Sequence, residues 1–111
     1  MNECDNESRL VYQIMHELGK YGAVFRCNSG GVRLPSGKYF YAMPAGFADV
    51  MFVMPGGKVA FIEAKAQGGR LSPKQEAFIK KMQLLGCCAG VAHNVDEALF
   101  ICGLGISQEV S

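Results

Sequence analysis

Residues 46–65 read Gly46-Phe47-Ala48-Asp49-Val50-Met51-Phe52-Val53-Met54-Pro55-Gly56-Gly57-Lys58-Val59-Ala60-Phe61-Ile62-Glu63-Ala64-Lys65. Two apolar runs flank a Pro-Gly-Gly turn. Apart from Lys58 beside the turn, the charges lie at the outer ends. This is the pattern of an antiparallel hairpin. With Gly56 central, Met54 faces Lys58, Phe52 faces Ala60 and Asp49 faces Glu63. Side chains alternate between the two faces, so Lys65 shares the face of Glu63. The register decides the chemistry. A three-residue turn, Pro55-Gly56-Gly57, sends both acids to one face, whereas a two-residue turn at Gly56-Gly57 shifts the pairing by one and separates them. Two carboxylates held together at the end of an apolar hairpin repel each other and lose hydration unless a cation joins them. The stretch therefore points to a metal site.

On the N-terminal side, residues 5–19 predict a helix. Leu10, Val11, Ile14, Met15 and Leu18 repeat at helical spacing, with Asp5 or Asn6 as cap and Gly19 or Gly22 as stop. Glu7 sits one turn before Val11 on that stripe, either as an acid favourable to the helix dipole or as a site residue. Ala23 to Cys27 reads as a short strand and Asn28-Ser29-Gly30-Gly31 as a flexible turn. Pro35-Ser36-Gly37-Lys38 reads as a second turn, and Tyr39-Phe40-Tyr41 as a strand or a loop over the core. Beyond the hairpin, Ser72-Pro73-Lys74-Gln75 opens a helix with a capping box and proline at its first position. Gln75, Phe78, Met82 and Leu85 share one face and Gly86 ends it. Cys87 to His93 is a short strand of small residues, suited to burial between helices. Asn94 caps a last helix from Val95 to about Cys102, and the tail beyond Gly105 has no pattern. The order is αβββαβα, an α/β fold with a mixed sheet flanked by helices.

A chain of 111 residues suits one domain, 1–111. Half of it is apolar, enough for a core. No apolar run approaches the roughly 20 residues that span a bilayer. The polar, acidic start Met1-Asn2-Glu3-Cys4-Asp5 is unlike a secretory signal, so a cytoplasmic location is expected. The five cysteines are odd in number and contain no Cys-x-x-Cys pair; they read as reduced, buried thiols. A zinc site from Cys87, Cys88 and His93 is the alternative, weakened because neighbours on a strand point to opposite faces. The net charge is only +1, but it is unevenly spread. From Lys20 to Lys81 lie ten of the eleven basic residues against three acids, a local excess of seven. That distribution suits a polyanionic ligand, with ordinary solvated surface as the bland alternative.

Asp49, Glu63 and Lys65 form the pattern Asp-x13-Glu-x-Lys. Hard oxygen donors at a sheet end suit Mg2+ or Mn2+, and the Ala64 backbone carbonyl between the charged side chains can add a third. Lys65 is placed to orient an attacking water or to steady a phosphoryl oxyanion. The competing reading is a structural Glu63–Lys65 ion pair.

Together with these residues, the segments Gly46-Phe47-Ala48-Asp49, Phe61-Ile62-Glu63-Ala64-Lys65 and Leu71-Ser72-Pro73-Lys74-Gln75 resemble the motifs of the VRR-NUC domain, a branch of the PD-(D/E)xK nucleases. Glu7, the segment Arg26-Cys27-Asn28-Ser29-Gly30 and Gly86 also fit, so the resemblance runs from about Glu7 to Leu99. It implies a restriction-endonuclease-like fold and metal-dependent cleavage of DNA phosphodiesters. It also implies metal ligation by Asp49, Glu63 and the Ala64 carbonyl, Lys65 as catalytic lysine, and Glu7 and Gln75 in the active site. Ala64 stands where the family often has a β-branched residue, but only the backbone is needed there. A lone domain of this kind resembles the small phage-type members. For those a homodimer acting on branched DNA such as four-way junctions is expected, in a bacterial or phage-infected cell and in a repair setting. Arg26, Ser29, Arg33, Lys38, Arg70, Lys74 and Lys81 are candidate DNA contacts. Apolar pieces around Tyr39–Met43 and in the last helix are candidate dimer surfaces. A reading from a different class is a non-catalytic DNA-binding or assembly module, against which the intact Asp-Glu-Lys set argues. RNA in place of DNA is a further alternative.

Overall fold

The computed structural model describes residues 3–27, 32–40 and 43–104. Helix α1 (Glu3–Leu18) is followed by strands β1 (Ala23–Arg26), β2 (Val32–Arg33), β3 (Tyr39–Phe40), β4 (Val50–Val53) and β5 (Val59–Ala64). Helix α2 (Pro73–Leu84), strand β6 (Cys88–Ala92) and helix α3 (Val95–Ile101) complete the chain. The central hairpin, β4 and β5, forms in the register centred on Gly56: Val53 faces Val59, Phe52 faces Ala60 and Val50 faces Ile62. Its turn is closed by the Gly57 N–H donating to the Met54 carbonyl at 2.9 Å and the Met54 N–H donating to the Lys58 carbonyl at 2.7 Å. Gly56 and Gly57 take φ of 91° and 88°, which a side chain would resist.

The sheet order is β1-β4-β5-β6. β1 and β4 pair antiparallel, as do β4 and β5, while β6 returns parallel to β5 after the α2 crossover. Strand alternation splits the core into two layers. Val50, Phe52, Ala60 and Ile62 face α1 and α3, where Leu10, Val11, Ile14, Leu18 and Ala98 meet them. Phe61 and Ala89 face the other way, against Ile79 of α2 and Ala48. β5 lies inside the sheet with neighbours on both sides, which is why its residues from Ala60 to Ala64 are all buried.

Several expectations need correction. α1 begins at Glu3, so Asp5 and Asn6 lie inside its first turns rather than capping it. Leu85 is the C-cap of α2 and is exposed, so the buried side of that helix is Phe78, Ile79 and Met82. The expected turn over 35–38 does form, and Tyr39-Phe40, read as a strand or a loop over the core, is a strand that closes a small hairpin, with Val32 facing Phe40 and Arg33 facing Tyr39. None of its described side chains belongs to either core layer. Cys27, Cys87, Cys88 and Cys102 are free thiols. Cys87 packs with the α2 layer and Cys88 with the α1/α3 layer, so one ion cannot take both. The Asn28–Gly31 turn, Tyr41 and the tail from Gly105 lie outside the described residues. Among the described residues no helix is long and apolar enough to cross a membrane.

Candidate active site

Both acids stand at one end of the sheet. Asp49 immediately precedes β4 and Glu63 is the penultimate residue of β5. Alternation puts Glu63 on the face of Phe61 and Asp49 on that of Met51, the side covered by α2. There Phe47, Phe61 and Phe78 form an aromatic floor, with ring centroids 4.6–5.7 Å apart. The floor removes water from the carboxylates, and Asp49 is 5% and Glu63 3% exposed.

Asp49 is held from two directions. Its Oδ2 accepts the Ala64 N–H at 2.9 Å, and its backbone carbonyl accepts the Cys27 N–H at 2.7 Å. The Lys65 N–H donates to the Ala92 carbonyl, so its backbone groups serve the β6 side. Those of Ala64 therefore turn to the β4 side, where Asp49 waits.

Gln75 shows how one side chain serves both cap and site. Its Oε1 accepts the Ser72 N–H at 2.9 Å while Ser72 Oγ accepts the Gln75 N–H at 3.2 Å, completing the capping box. That fixes the amide orientation and leaves Nε2 to donate to Glu63 Oε2 at 2.7 Å. Lys65 Nζ lies 3.9 Å from the same oxygen. Glu7 comes from the opposite layer, on α1, and reaches round the sheet end to accept the Ala66 N–H at 3.4 Å.

The other Glu63 oxygen, Oε1, is fully buried and has no hydrogen-bond partner. Burial and the neighbouring Asp49 charge push the Glu63 carboxyl up to about 8; Lys65 and the Asp49 backbone N–H offset part of the rise, and Glu7 adds slightly to it. An orphaned buried acceptor of this kind costs about 1–3 kcal/mol. Among the described residues no three His, Cys, Asp or Glu side chains gather into a ready-made ion cage. The available set is two carboxylates and a carbonyl, all hard oxygens, which fits Mg2+ or Mn2+ with water completing the shell. A cation there would satisfy Glu63 Oε1 and favour the charged form of the acid.

The VRR-NUC domain family matches the chain over residues 33–96, more than half its length. The chain belongs to the VRR-NUC family. A solved structure titled "VRR_NUC domain" shares the fold, with a TM-score of 0.63 at 16% identity over 87% of this chain and 94% of that one. No curated protein matches the chain. Membership brings a nuclease-type fold, in agreement with the mixed sheet and flanking helices.

Asp49, Glu63, Lys65 and Gln75 all lie within the VRR-NUC match, and Glu7 lies before it. The basic candidates are not gathered in one place. Arg70 and Lys74 are exposed at the entry to α2, beside Gln75, and Lys81 follows Lys74 by seven residues, so the two lie on nearly the same side of that helix about 10 Å apart. Arg33 and Lys38 belong to the β2–β3 hairpin segment. Arg26 pairs with Val50, and its guanidinium sits 5.2 Å over the Tyr12 ring of α1, on the sheet face opposite the two acids. Ser29 lies outside the described residues.

Gly46, which opens the segment Gly46-Phe47-Ala48-Asp49, is held to a strict geometry in this VRR-NUC site. Its φ is 89°, and a Cβ there would lie 2.7 Å from the Lys74 carbonyl oxygen. The segment leading to Asp49 thus rests directly on the first turn of α2, the turn that aims Gln75. Gly46→Ala combines a strained φ with a backbone clash and is expected to lose roughly 1–3 kcal/mol or more in urea unfolding. Unchanged stability would show that the segment before Asp49 and the helix are not in contact.

Proposed function

We propose that this VRR-NUC chain is a metal-dependent DNA endonuclease using Mg2+ or Mn2+, selective for branched DNA such as four-way junctions and acting as a homodimer. The observation that carries the reading is the buried Asp49–Glu63 pair, in which one Glu63 oxygen is buried without a hydrogen-bond partner. Asp49, Glu63 and the Ala64 carbonyl would hold the ion. When bound, it would acidify a water and offset charge growing on the phosphate. Hydrolysis forms a bond from water oxygen to phosphorus, breaks the bond from phosphorus to a sugar oxygen, and delivers a proton to that leaving oxygen. Lys65, its side chain 16% exposed, keeps its ammonium near this chemistry, where it orients the attacking water and steadies the phosphoryl oxyanion. Gln75 grips Glu63 Oε2 and leaves Oε1 without a hydrogen-bond partner. Glu7 anchors the chain just past Lys65 through the Ala66 N–H.

Arg26, Ser29, Arg33, Lys38, Arg70, Lys74 and Lys81 supply phosphate contacts, whose strength falls with salt. Two strands at a junction need two active sites, which a twofold dimer provides. The test is incubation with a labelled four-way junction, a linear DNA duplex or an RNA duplex, in Mg2+ or EDTA. Junction cutting in Mg2+ is expected, with none in EDTA and none by Asp49→Asn. Cutting in EDTA, or no cutting by wild type at high enzyme, would overturn the reading.

A further inference from the structure

The β2–β3 hairpin adds no described side chain to either core layer, and only Arg33 and Lys38 of it enter the phosphate contacts proposed above. No acidic residue occurs between Glu17 and Asp49, a stretch carrying Lys20, Arg26, Arg33 and Lys38. In the hairpin, Leu34, Tyr39 and Phe40 are 40%, 55% and 56% exposed, an unusual apolar surface for so short an element. The Arg33 guanidinium lies 5.5 Å over the Tyr39 ring. The turn is closed by the Gly37 N–H donating to the Leu34 carbonyl at 2.8 Å and the Leu34 N–H donating to the Lys38 carbonyl at 2.7 Å. Its roots matter most. The chain leaves the sheet at Cys27, whose N–H bonds the Asp49 carbonyl, and returns through Gly46 to Asp49 itself. The chain that carries the hairpin therefore leaves and rejoins the sheet beside Asp49.

We infer that the β2–β3 hairpin binds unpaired nucleotides of a DNA strand beside the cleavage site, with Tyr39 and Phe40 offering stacking surfaces and Arg33 and Lys38 meeting the phosphates. The choice of DNA rests on the nuclease reading above. Aromatic faces flanked by cations, with no acid nearby, complement a strand whose base faces are open. A paired duplex shows phosphates and groove edges instead, which would leave Phe40 without a match. Pairing of two hairpins from two copies would bring Arg33 and Lys38 together with no acid in the stretch to compensate.

The test measures binding in EDTA, without turnover, by fluorescence anisotropy. The probes are a labelled single strand, a forked duplex with single-stranded arms, and a blunt duplex of equal length. Phe40→Ala and Tyr39→Ala should each weaken single-strand and fork binding by about 10-fold or more and leave the blunt duplex within about twofold. Phe40→Trp, which keeps a stacking face and guards against a folding artefact, should retain binding. Equal loss on all three probes, or no loss on the single strand, overturns the inference. So does a dimer-to-monomer change in sedimentation with DNA affinity intact, which assigns the hairpin to self-association. Wild type that binds but never cuts sinks the nuclease reading alone, and cutting by wild type with unaltered binding by the variants sinks this inference alone. Wild type that binds no DNA sinks both.

Discussion

Glu63→Gln is expected to abolish the proposed divalent-metal binding and cleavage while making the metal-free protein more stable at alkaline pH. Burial and Asp49 raise the Glu63 pKa from 4.5 to about 8 in the folded chain. Below about pH 4.5 both folded and unfolded chains hold this proton, and the group costs nothing. As pH rises, the unfolded chain releases the proton first, so stability falls through the window and the penalty is complete above about 8. Glutamine keeps the Gln75 contact in shape but carries no charge. Its metal-free melting temperature should exceed that of wild type by several degrees at pH 8.5 and match it near pH 4. Thermal melts in EDTA at the two pH values, beside cleavage assays in Mg2+, read both effects. A variant less stable than wild type at pH 8.5 would show that Glu63 supports the fold and does not strain it.

Lys65→Ala should lower cleavage by about 100- to 1000-fold and leave DNA binding within about twofold. Lys65 makes a long ion pair of 3.9 Å with Glu63, and its side chain is 16% exposed. It lowers the Glu63 pKa, so its removal pushes that carboxyl higher still and moves the rising limb of the pH–rate profile to higher pH. Single-turnover rates across pH, with parallel binding curves in EDTA, separate this from the competing reading. Loss of folding, or loss of binding in step with rate, would assign Lys65 to a structural pair.

The hairpin register was legible because Pro55-Gly56-Gly57 allows only a few turn geometries and the flanking alternation permits only one buried face. The cap of α2 was legible too, since Ser72, Pro73 and Gln75 satisfy orphan backbone groups through local bonds that sequence spacing encodes. What escaped depends on contacts distant in sequence. Nothing near Ala64 announces that its N–H will hold Asp49, and nothing near Gly46 announces Lys74. Arg26 looks like its fellow cations, but strand alternation puts it with Val24 on the α1 side, over Tyr12. Asp5 and Asn6 resemble caps because both residue types are favoured at a helix N-cap, while the acid Asp5 is also favourable within the first turn. Strands β2 and β3 are two residues each, too short for any periodicity to register. Their signal was in the turn: Leu34-Pro35-Ser36-Gly37-Lys38 parallels Met54-Pro55-Gly56-Gly57-Lys58, and both close with the same two hydrogen bonds.

The decisive measurement is a calorimetric titration of Mn2+ into wild type and Asp49→Asn at pH 6, 7 and 8. A metal site built on the buried acid pair predicts saturable binding to wild type that strengthens as pH rises toward the Glu63 value of about 8, with proton release, and none to Asp49→Asn. No binding by wild type, or the same binding by Asp49→Asn at every pH, would contradict it.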